Sequence, residues 1–188
     1  MINTLDFYSK LAREDIFEGQ LFDLSGQSLN IQQIKSGWVT FENCTINCDQ
    51  LNFNNIKDSQ LILEFKNCNF NCNLTFSNCS FNQLLFNNTK TLKSLKIKKG
   101  LLDNGISQFN HFEFSNDINN KSELNTDFQI TNTEIKEAIS FENINHVEGI
   151  FKFVKNIFGD KIKKMGILFL SILHFQIFIL VQIVLMNQ

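Results

Sequence analysis

The chain has 188 residues, 43% of them hydrophobic, which is enough for one domain with a core plus an appendage and argues against disorder throughout. Its net charge of −2, from 17 basic and 19 acidic side chains, gives no general attraction to nucleic acid, so no nucleic-acid partner is expected. Phenylalanine dominates the aromatic residues, with 21 Phe against one Tyr and one Trp, and most of these apolar rings are expected inside.

Residues 1–20 are predicted to cap the rest of the chain. Gly19 provides a stop signal after four apolar residues that recur at near-helical spacing: Leu5, Tyr8, Leu11 and Ile16. A helix over 4–18 would cover the open end of a stacked structure, and an irregular lead-in is the alternative. Charged side chains interrupt this segment, so it lacks the apolar run that export requires, and reduced thiols in a cytoplasmic setting are expected.

A short repeat with the pattern F-x-N-C-x-F occupies the centre of the chain. Its clearest copies are Phe41-Glu-Asn-Cys44-Thr-Ile46, Phe65-Lys-Asn-Cys68-Asn-Phe70 and Phe76-Ser-Asn-Cys79-Ser-Phe81. Looser copies begin at Phe53, Phe86, Phe109 and Phe141. A repeat of this kind is typical of a structure in which each unit stacks on the next.

The repeat also predicts local geometry. Residues i and i+2 share one face of a strand, so Val39 and Phe41 point the same way, as do Leu63 and Phe65. The Asn that follows is expected at a corner, because its short amide side chain tolerates a left-handed backbone. Strand, bend and strand in succession predict an all-β solenoid over 21–146, a parallel β-helix whose coils stack about 4.8 Å apart.

The repeat resembles the pentapeptide-repeat family over residues 39–89. The resemblance rests on five steps: Leu63-Glu-Phe65, Cys68-Asn-Phe70, Leu74-Thr-Phe76, Cys79-Ser-Phe81 and Leu84-Leu-Phe86. It implies a right-handed, four-sided β-helix in which the central Phe and the residue two before it both point inward. Some members of that family are strongly acidic rods that imitate DNA and block topoisomerases, a role that the net charge of −2 argues against.

The five cysteines admit three interpretations. Cys44, Cys68 and Cys79 share a repeat position at which Ile and Thr also occur, which favours buried apolar volume. The alternatives are a zinc site, since the Cys-x3-Cys spacings are compatible with one, and a disulfide or redox role. Cys48 and Cys72 lie outside this position and are expected to be the more exposed thiols.

A basic run follows the repeats and consists of Lys90, Lys93, Lys96, Lys98 and Lys99. It is compatible with a phosphate or an anionic membrane surface, but a solvated strand face is the commoner meaning of such a run. Aromatic residues do not interleave with these lysines, which argues against single-stranded nucleic acid.

Two segments after the basic run are predicted to leave the solenoid. Residues 115–137 are polar and indicate a long loop inserted between coils, with coiling resumed at Ile139. Residues 147–164 read as a basic amphipathic connector, in which Ile150, Phe151 and Val154 have helical spacing.

The sequence contains none of the common catalytic or nucleotide-binding motifs. Its three histidines, which pair with no cysteine or carboxylate motif and are interpreted as structural, are His111, His146 and His174. No catalytic residue, metal or cofactor is therefore assigned, and an enzyme is not expected.

The C-terminal segment 165–186 has no charged side chain and is predicted to be a transmembrane helix. A helix of this length spans about 33 Å, close to the bilayer core of about 30 Å. The preceding Lys161, Lys163 and Lys164 place the β-helix on the cytoplasmic side. The alternatives are a buried helix or strand of a soluble protein and a truncated or frame-disturbed chain.

One arc of this predicted helix carries three polar residues, Ser171, His174 and Gln182, that would permit self-association. The sequence thus predicts a β-helical scaffold that binds a protein partner through its flat walls, with membrane lipid and a second copy as further partners. The alternative is a soluble pentapeptide-like rod that blocks or imitates a macromolecular ligand.

Overall fold

The protein is a parallel β-solenoid of about four turns preceded by one short helix, which confirms the predicted all-β solenoid. This architecture comes from a computed structural model. The structure describes residues 4–89, 94–98, 107–115, 123–125, 127–131, 133–142, 145–148, 151–154, 157–158, 170–171 and 179–182.

The helix α1 (Thr4–Leu11) lies on the first turn and covers it, as predicted. Phe7 and Leu11 are fully buried, and the Phe7 ring lies 4.9 Å from the Phe22 ring in an edge-to-face contact. The helix is shorter than the predicted 4–18, because the first strand already begins at Ile16. Gly19, at φ +61°, forms a corner of the coil instead of ending a helix.

The described strands follow in chain order. They are β1 (Ile16–Glu18), β2 (Leu21–Asp23), β3 (Ser28–Ile31), β4 (Trp38–Glu42), β5 (Thr45–Asn54), β6 (Lys57–Lys66), β7 (Asn69–Ser77), β8 (Ser80–Asn87), β9 (Ser94–Lys98), β10 (Ser107–Ser115), β11 (Glu123–Asn125), β12 (Asp127–Thr131), β13 (Thr133–Glu142), β14 (Asn145–Glu148), β15 (Phe151–Val154), β16 (Ile157–Phe158), β17 (Leu170–Ser171) and β18 (Ile179–Gln182).

These strands form two large parallel sheets, to which the chain contributes alternately. The first sheet has the order β1-β4-β6-β8-β10-β13-β16, with β17 also paired to β13. The second has the order β18-β15-β12-β9-β7-β5-β2, with β3 also paired to β5, and β11 pairs separately with β14. Each neighbour in a sheet therefore comes from the next turn of one coil, as a β-helix requires.

Asparagines form the corners, as the repeat predicted. Five of them have left-handed backbones, with φ between 52° and 58°: Asn43, Asn55, Asn67, Asn78 and Asn88. The backbone N–H groups at these corners also join successive turns, since the Asn43 N–H donates to the Lys66 carbonyl over 2.9 Å. The Gly19 N–H donates in the same way to the Glu42 carbonyl, so a glycine takes this corner position in the first turn.

The core is a column of phenylalanine rings from successive turns. Backbone pairing places Phe17, Phe41, Phe65, Phe86 and Phe114 next to one another in that order. Their rings stack with centroids 4.4 to 5.5 Å apart. Since these rings lie only about one strand spacing apart, each phenylalanine is buried by the turns before and after it.

The inward pairs implied by the family resemblance are also observed. All ten residues of the five steps are buried, with at most 2% of the surface exposed: Leu63, Phe65, Cys68, Phe70, Leu74, Phe76, Cys79, Phe81, Leu84 and Phe86. The pattern of two inward residues in each step therefore holds across 63–86.

The polar segment 115–137 is not one long loop, which corrects the prediction. Strands β11 and β12 lie within it, β13 already begins at Thr133, and Ile130 is buried in the core. The alternation in Asp-Phe-Gln-Ile-Thr carries this signal, because the polar members of a half-buried strand face water.

The connector 147–164 is also not the helix that its apolar spacing suggested, since β15 and β16 lie within it. Of the predicted apolar helix 165–186, Leu170–Ser171 and Ile179–Gln182 are strands that pair with β13 and β15, and the rest lies outside the described residues. Abundant Ile, Val and Phe suit a buried strand as well as a membrane helix, so composition alone did not separate the two. Among the described residues, the structure contains no helix of the length and apolarity needed to cross a bilayer.

Candidate binding face

The outer side of the first sheet carries exposed apolar side chains among charged ones. We call this surface the tryptophan face and define it by Ile16, Glu18, Trp38, Thr40, Glu42, Ile62, Glu64, Lys66, Gln83, Leu85 and Asn87. Trp38 is 59% exposed and Ile16 is 64% exposed, while Ile62 and Leu85 are half-buried. Large apolar side chains clustered on one flat wall are typical of a contact surface.

Backbone register brings these apolar residues together. Trp38 lies opposite Ile62 on the next strand, and Leu85 lies opposite Glu64. Ile16 lies opposite Thr40, which is two residues from Trp38 on the same side of β4. The four apolar side chains therefore occupy two adjacent rows on four successive strands, with Trp38 beside Ile62 in one row and Ile16 and Leu85 in the other.

A hydrogen-bond network fixes Glu64 in the middle of the tryptophan face. The Trp38 Nε1–H donates to Glu64 Oε2 over 3.2 Å, and the Thr40 hydroxyl lies 3.3 Å from the same oxygen. Asn87 Nδ2 donates to the other carboxylate oxygen over 3.0 Å. The network holds the indole and a carboxylate side by side, which presents an aromatic surface next to a negative charge.

The charges of this face are mainly acidic. Glu18, Glu42 and Glu64 lie on it, with Lys66 as its one basic member. Lys66 Nζ lies 2.8 Å from Glu42 Oε1, and this ion pair raises the pKa of Lys66. Because Lys66 is paired, the surface suits a partner that carries positive charge and apolar groups.

The outer side of the second sheet is different in chemistry. We call it the amide face and define it by Thr45, Asn47, Asn52, Asn69, Asn71, Asn73 and Thr75. Asn71 Nδ2 donates to Asn47 Oδ1 over 2.7 Å, and Asn73 Nδ2 donates to the Asp49 carbonyl over 3.2 Å. Such bonds along the coil occupy the amides, so this wall mainly binds its own turns together.

All five cysteines are buried, and none forms a disulfide. For Cys44, Cys68 and Cys79 this confirms the apolar-volume interpretation. For Cys48 and Cys72 the expectation of exposed thiols was wrong, since 3% and 0% of their surfaces are exposed. Their strands alternate inward and outward, which places both residues on the same side as Ile46 and Phe70.

The three corner cysteines share one hydrogen-bond arrangement. Cys44 Sγ lies 3.2 Å from the Phe17 carbonyl oxygen, and Cys68 Sγ lies 3.2 Å from that of Phe41. Cys79 Sγ lies 3.3 Å from the carbonyl oxygen of Phe53. A thiol here fills apolar volume and donates weakly to the turn before it, which explains why Cys recurs at this position.

Cys44 and Cys68 also interact with each other. Register places them side by side in successive turns, because Thr45 is the partner of Asn69. The interaction with the Cys68 thiol lowers the pKa of Cys44. The same contact, together with burial, raises the pKa of Cys68. The pair therefore loses one proton readily and the second with difficulty.

The other residues considered from the sequence do not join this surface. Lys96 and Lys98 lie in β9 on the second sheet, and the other three lysines of the basic run lie outside the described residues. His111 and His146 lie in β10 and β14, while His174 is not described. In the portion of the chain described, no three His, Cys, Asp or Glu side chains are grouped as a metal site requires.

Comparison with known proteins gives no further assignment. The chain matches no protein-family model, no curated protein and no solved structure. The fold and the candidate face therefore rest on the sequence and the structure alone.

Trp38 was not among the candidate residues predicted from the sequence, although the sequence contains a signal for its outward position. Val39 and Phe41 were predicted to point inward, and alternation then turns Trp38 outward. An outward tryptophan next to an inward pair is the feature that would have located this face.

Proposed function

We propose that the protein is a non-enzymatic binding module that holds a protein partner against the tryptophan face. The observation that carries the proposal is Trp38, which is 59% exposed at the start of β4 on the outer side of the first sheet and hydrogen-bonded to Glu64. Tryptophan is enriched among residues that contribute most to protein contacts, because one rigid ring buries a large area.

The chemistry of the face indicates the kind of partner. Glu18, Glu42 and Glu64 surround the apolar side chains, and Lys66 is paired with Glu42. A partner segment with apolar side chains and additional Lys or Arg would bury this apolar surface and complement these carboxylates. A guanidinium or ammonium group over the Trp38 ring would add a cation–π contact.

The proposal is tested by affinity enrichment from an extract of the source cells with Trp38→Ser beside the unchanged protein. Leu21→Ser is the matched control, because Leu21 is 52% exposed but lies on the outer side of the second sheet. A partner retained by Leu21→Ser and lost by Trp38→Ser supports the tryptophan face. Equal retention by both variants would reject it.

We also propose that the solenoid has the four-sided, right-handed form implied by the pentapeptide-repeat resemblance. The regular inward pairs over 63–86 and the corner asparagines support four short sides. Crossovers between parallel strands of one sheet are right-handed in nearly all proteins. A crystal structure with a left-handed coil would contradict this form.

Membrane attachment through 165–186 stays a separate prediction. Its support is the absence of charged side chains from this segment, whereas the strand pairings of β17 and β18 favour a continuation of the sheets. Carbonate extraction of membranes from cells that make residues 1–188 or 1–160 separates the two. Retention of only the longer chain in the pellet supports attachment, and release of both rejects it.

A further inference from the structure

We propose that Cys44 and Cys68 form a reversible disulfide when the folded protein meets hydrogen peroxide. Parallel pairing brings these residues side by side, with Thr45 opposite Asn69 immediately after them. Neighbouring strands lie about 4.8 Å apart, and the Cα atoms of disulfides are usually about 4.4 to 6.8 Å apart. The Cα separation set by the ladder therefore lies within the range of disulfides.

The surroundings make Cys44 the residue that reacts first. Its side chain is buried, yet it lies directly after the exposed corner residue Asn43, and its Sγ is 3.4 Å from the Glu42 carbonyl at that corner. The neighbouring Cys68 thiol lowers the pKa of Cys44, so Cys44 is the first of the two to ionise.

The chemistry balances with peroxide as the only oxidant. The Cys44 thiolate attacks one peroxide oxygen, the O–O bond breaks, and the departing hydroxide takes up a proton to leave as water. Cys44 is then a sulfenic acid, with the second oxygen bonded to sulfur. The Cys68 sulfur attacks the Cys44 sulfur, and the expelled hydroxide leaves as water with the Cys68 proton. Two thiols and one peroxide give one disulfide and two waters.

The other cysteines are placed less well for this reaction. In the sheet ladder, Cys79 has Ile56 and Ser107 as its neighbours in the adjacent turns. Cys48 and Cys72 face each other across a register shift, because β5 has one residue more than β7 between Asn47 and Gln50. Cys44 and Cys68 are thus held in direct register, whereas Cys48 and Cys72 are separated by the shift.

The test treats the full chain with hydrogen peroxide under native conditions, blocks the remaining thiols after denaturation, and maps the linked residues by fragmentation mass spectrometry. The expected result is a link between Cys44 and Cys68, with loss of two hydrogen atoms and reversal by dithiothreitol. The link should raise the thermal midpoint by about 5–10 °C, since it closes a loop between consecutive turns.

Two variants sharpen the result. The variant Cys48→Ala with Cys72→Ala and Cys79→Ala retains only the proposed pair and should still form the link. The matched variant Cys44→Ala with Cys68→Ala should form none. If the triple variant does not fold, fragment ions that separate Cys44 from Cys48 in the unchanged chain decide the pairing. A link between Cys48 and Cys72, over-oxidation without a link, or a link formed only after denaturation would overturn the proposal.

Discussion

The phenyl rings of Phe41 and Phe65 stack with centroids 5.1 Å apart, although one full turn of the solenoid separates the two residues in the chain. Phe65 also contacts Phe86 in the next turn at 5.2 Å and Phe70 across the core at 5.1 Å. One side chain thus joins three turns and both large sheets.

We expect Phe65→Ala to lower the free energy of unfolding by about 3–5 kcal/mol, because the variant leaves a cavity in the ring column. Phe65→Leu retains most of the volume and should cost less. Urea denaturation followed by circular dichroism measures both. Leu5→Ala is the control, since Leu5 is 81% exposed and its replacement should stay within about 0.5 kcal/mol. If Leu5→Ala and Phe65→Ala lowered the free energy of unfolding by similar amounts, the stacked phenylalanine rings would not be what stabilises the core.

The corner at Asn67 gives a second prediction, because its φ of 52° is unfavourable for most side chains. Asn67→Ala should lower the free energy of unfolding by about 1–2 kcal/mol, whereas Asn67→Gly should be better tolerated. The same denaturation measurement distinguishes the two. Asn52→Ala, in the middle of β5, is the control and should change stability by less than about 0.5 kcal/mol. Equal stability of the Ala and Gly variants at 67 would show that the corner does not demand this backbone.

The repeat predicted the solenoid because each copy carries its own geometry. Phe41 and Val39 alternate inward, and the next Asn turns the corner, so local rules and the global coil agree over 39–89. The period alone did not give the partner of each strand, since Phe41 pairs with Phe65, two copies further along, and not with Phe53 in the next copy. The coil itself follows from the spacing of a few residue types.

The strands after Phe86 could not be predicted from the spacing of the repeat, because the F-x-N-C-x-F pattern weakens there. Gln129 and Glu134 are half-buried polar members of β12 and β13, whereas Ile130, Thr133 and Ile135 are buried. Cys48 and Cys72 were expected to be exposed because they fall outside the repeat position. Both continue the inward alternation of Ile46 and Phe70, which extends beyond the F-x-N-C-x-F repeat.

The tryptophan face provides a third prediction, because Trp38 is the only tryptophan and reports its own surroundings. The Glu64 carboxylate, 3.2 Å from the indole nitrogen, should draw caesium ions toward the ring and repel iodide. We expect Glu64→Gln to lower the ratio of caesium to iodide quenching of Trp38 fluorescence by about twofold at low salt. Quenching by neutral acrylamide is the control and should be unchanged. An unaltered ratio would show that the face does not favour cations.

Cys79 gives a prediction about alkaline pH, because burial raises its pKa from its ordinary value of 9.0 to about 11. Above pH 9 the unfolded chain releases this proton while the folded protein retains it, so ionisation favours unfolding. The stabilisation is thus complete below about pH 9 and is lost as the pH rises toward 11. We expect Cys79 to account for a loss of about 2–3 kcal/mol over this range.

The measurement is urea denaturation at several pH values between 8 and 11 for the unchanged protein and for Cys79→Val. Valine has a similar volume and no ionisable group, and the two proteins share every other ionisable group. The difference between the two curves therefore isolates Cys79, and it should grow in favour of the valine variant as the pH rises. Parallel curves from pH 8 to 11 would mean that the thiol is not held in the apolar corner, because an accessible thiol ionises equally in the folded and unfolded chain.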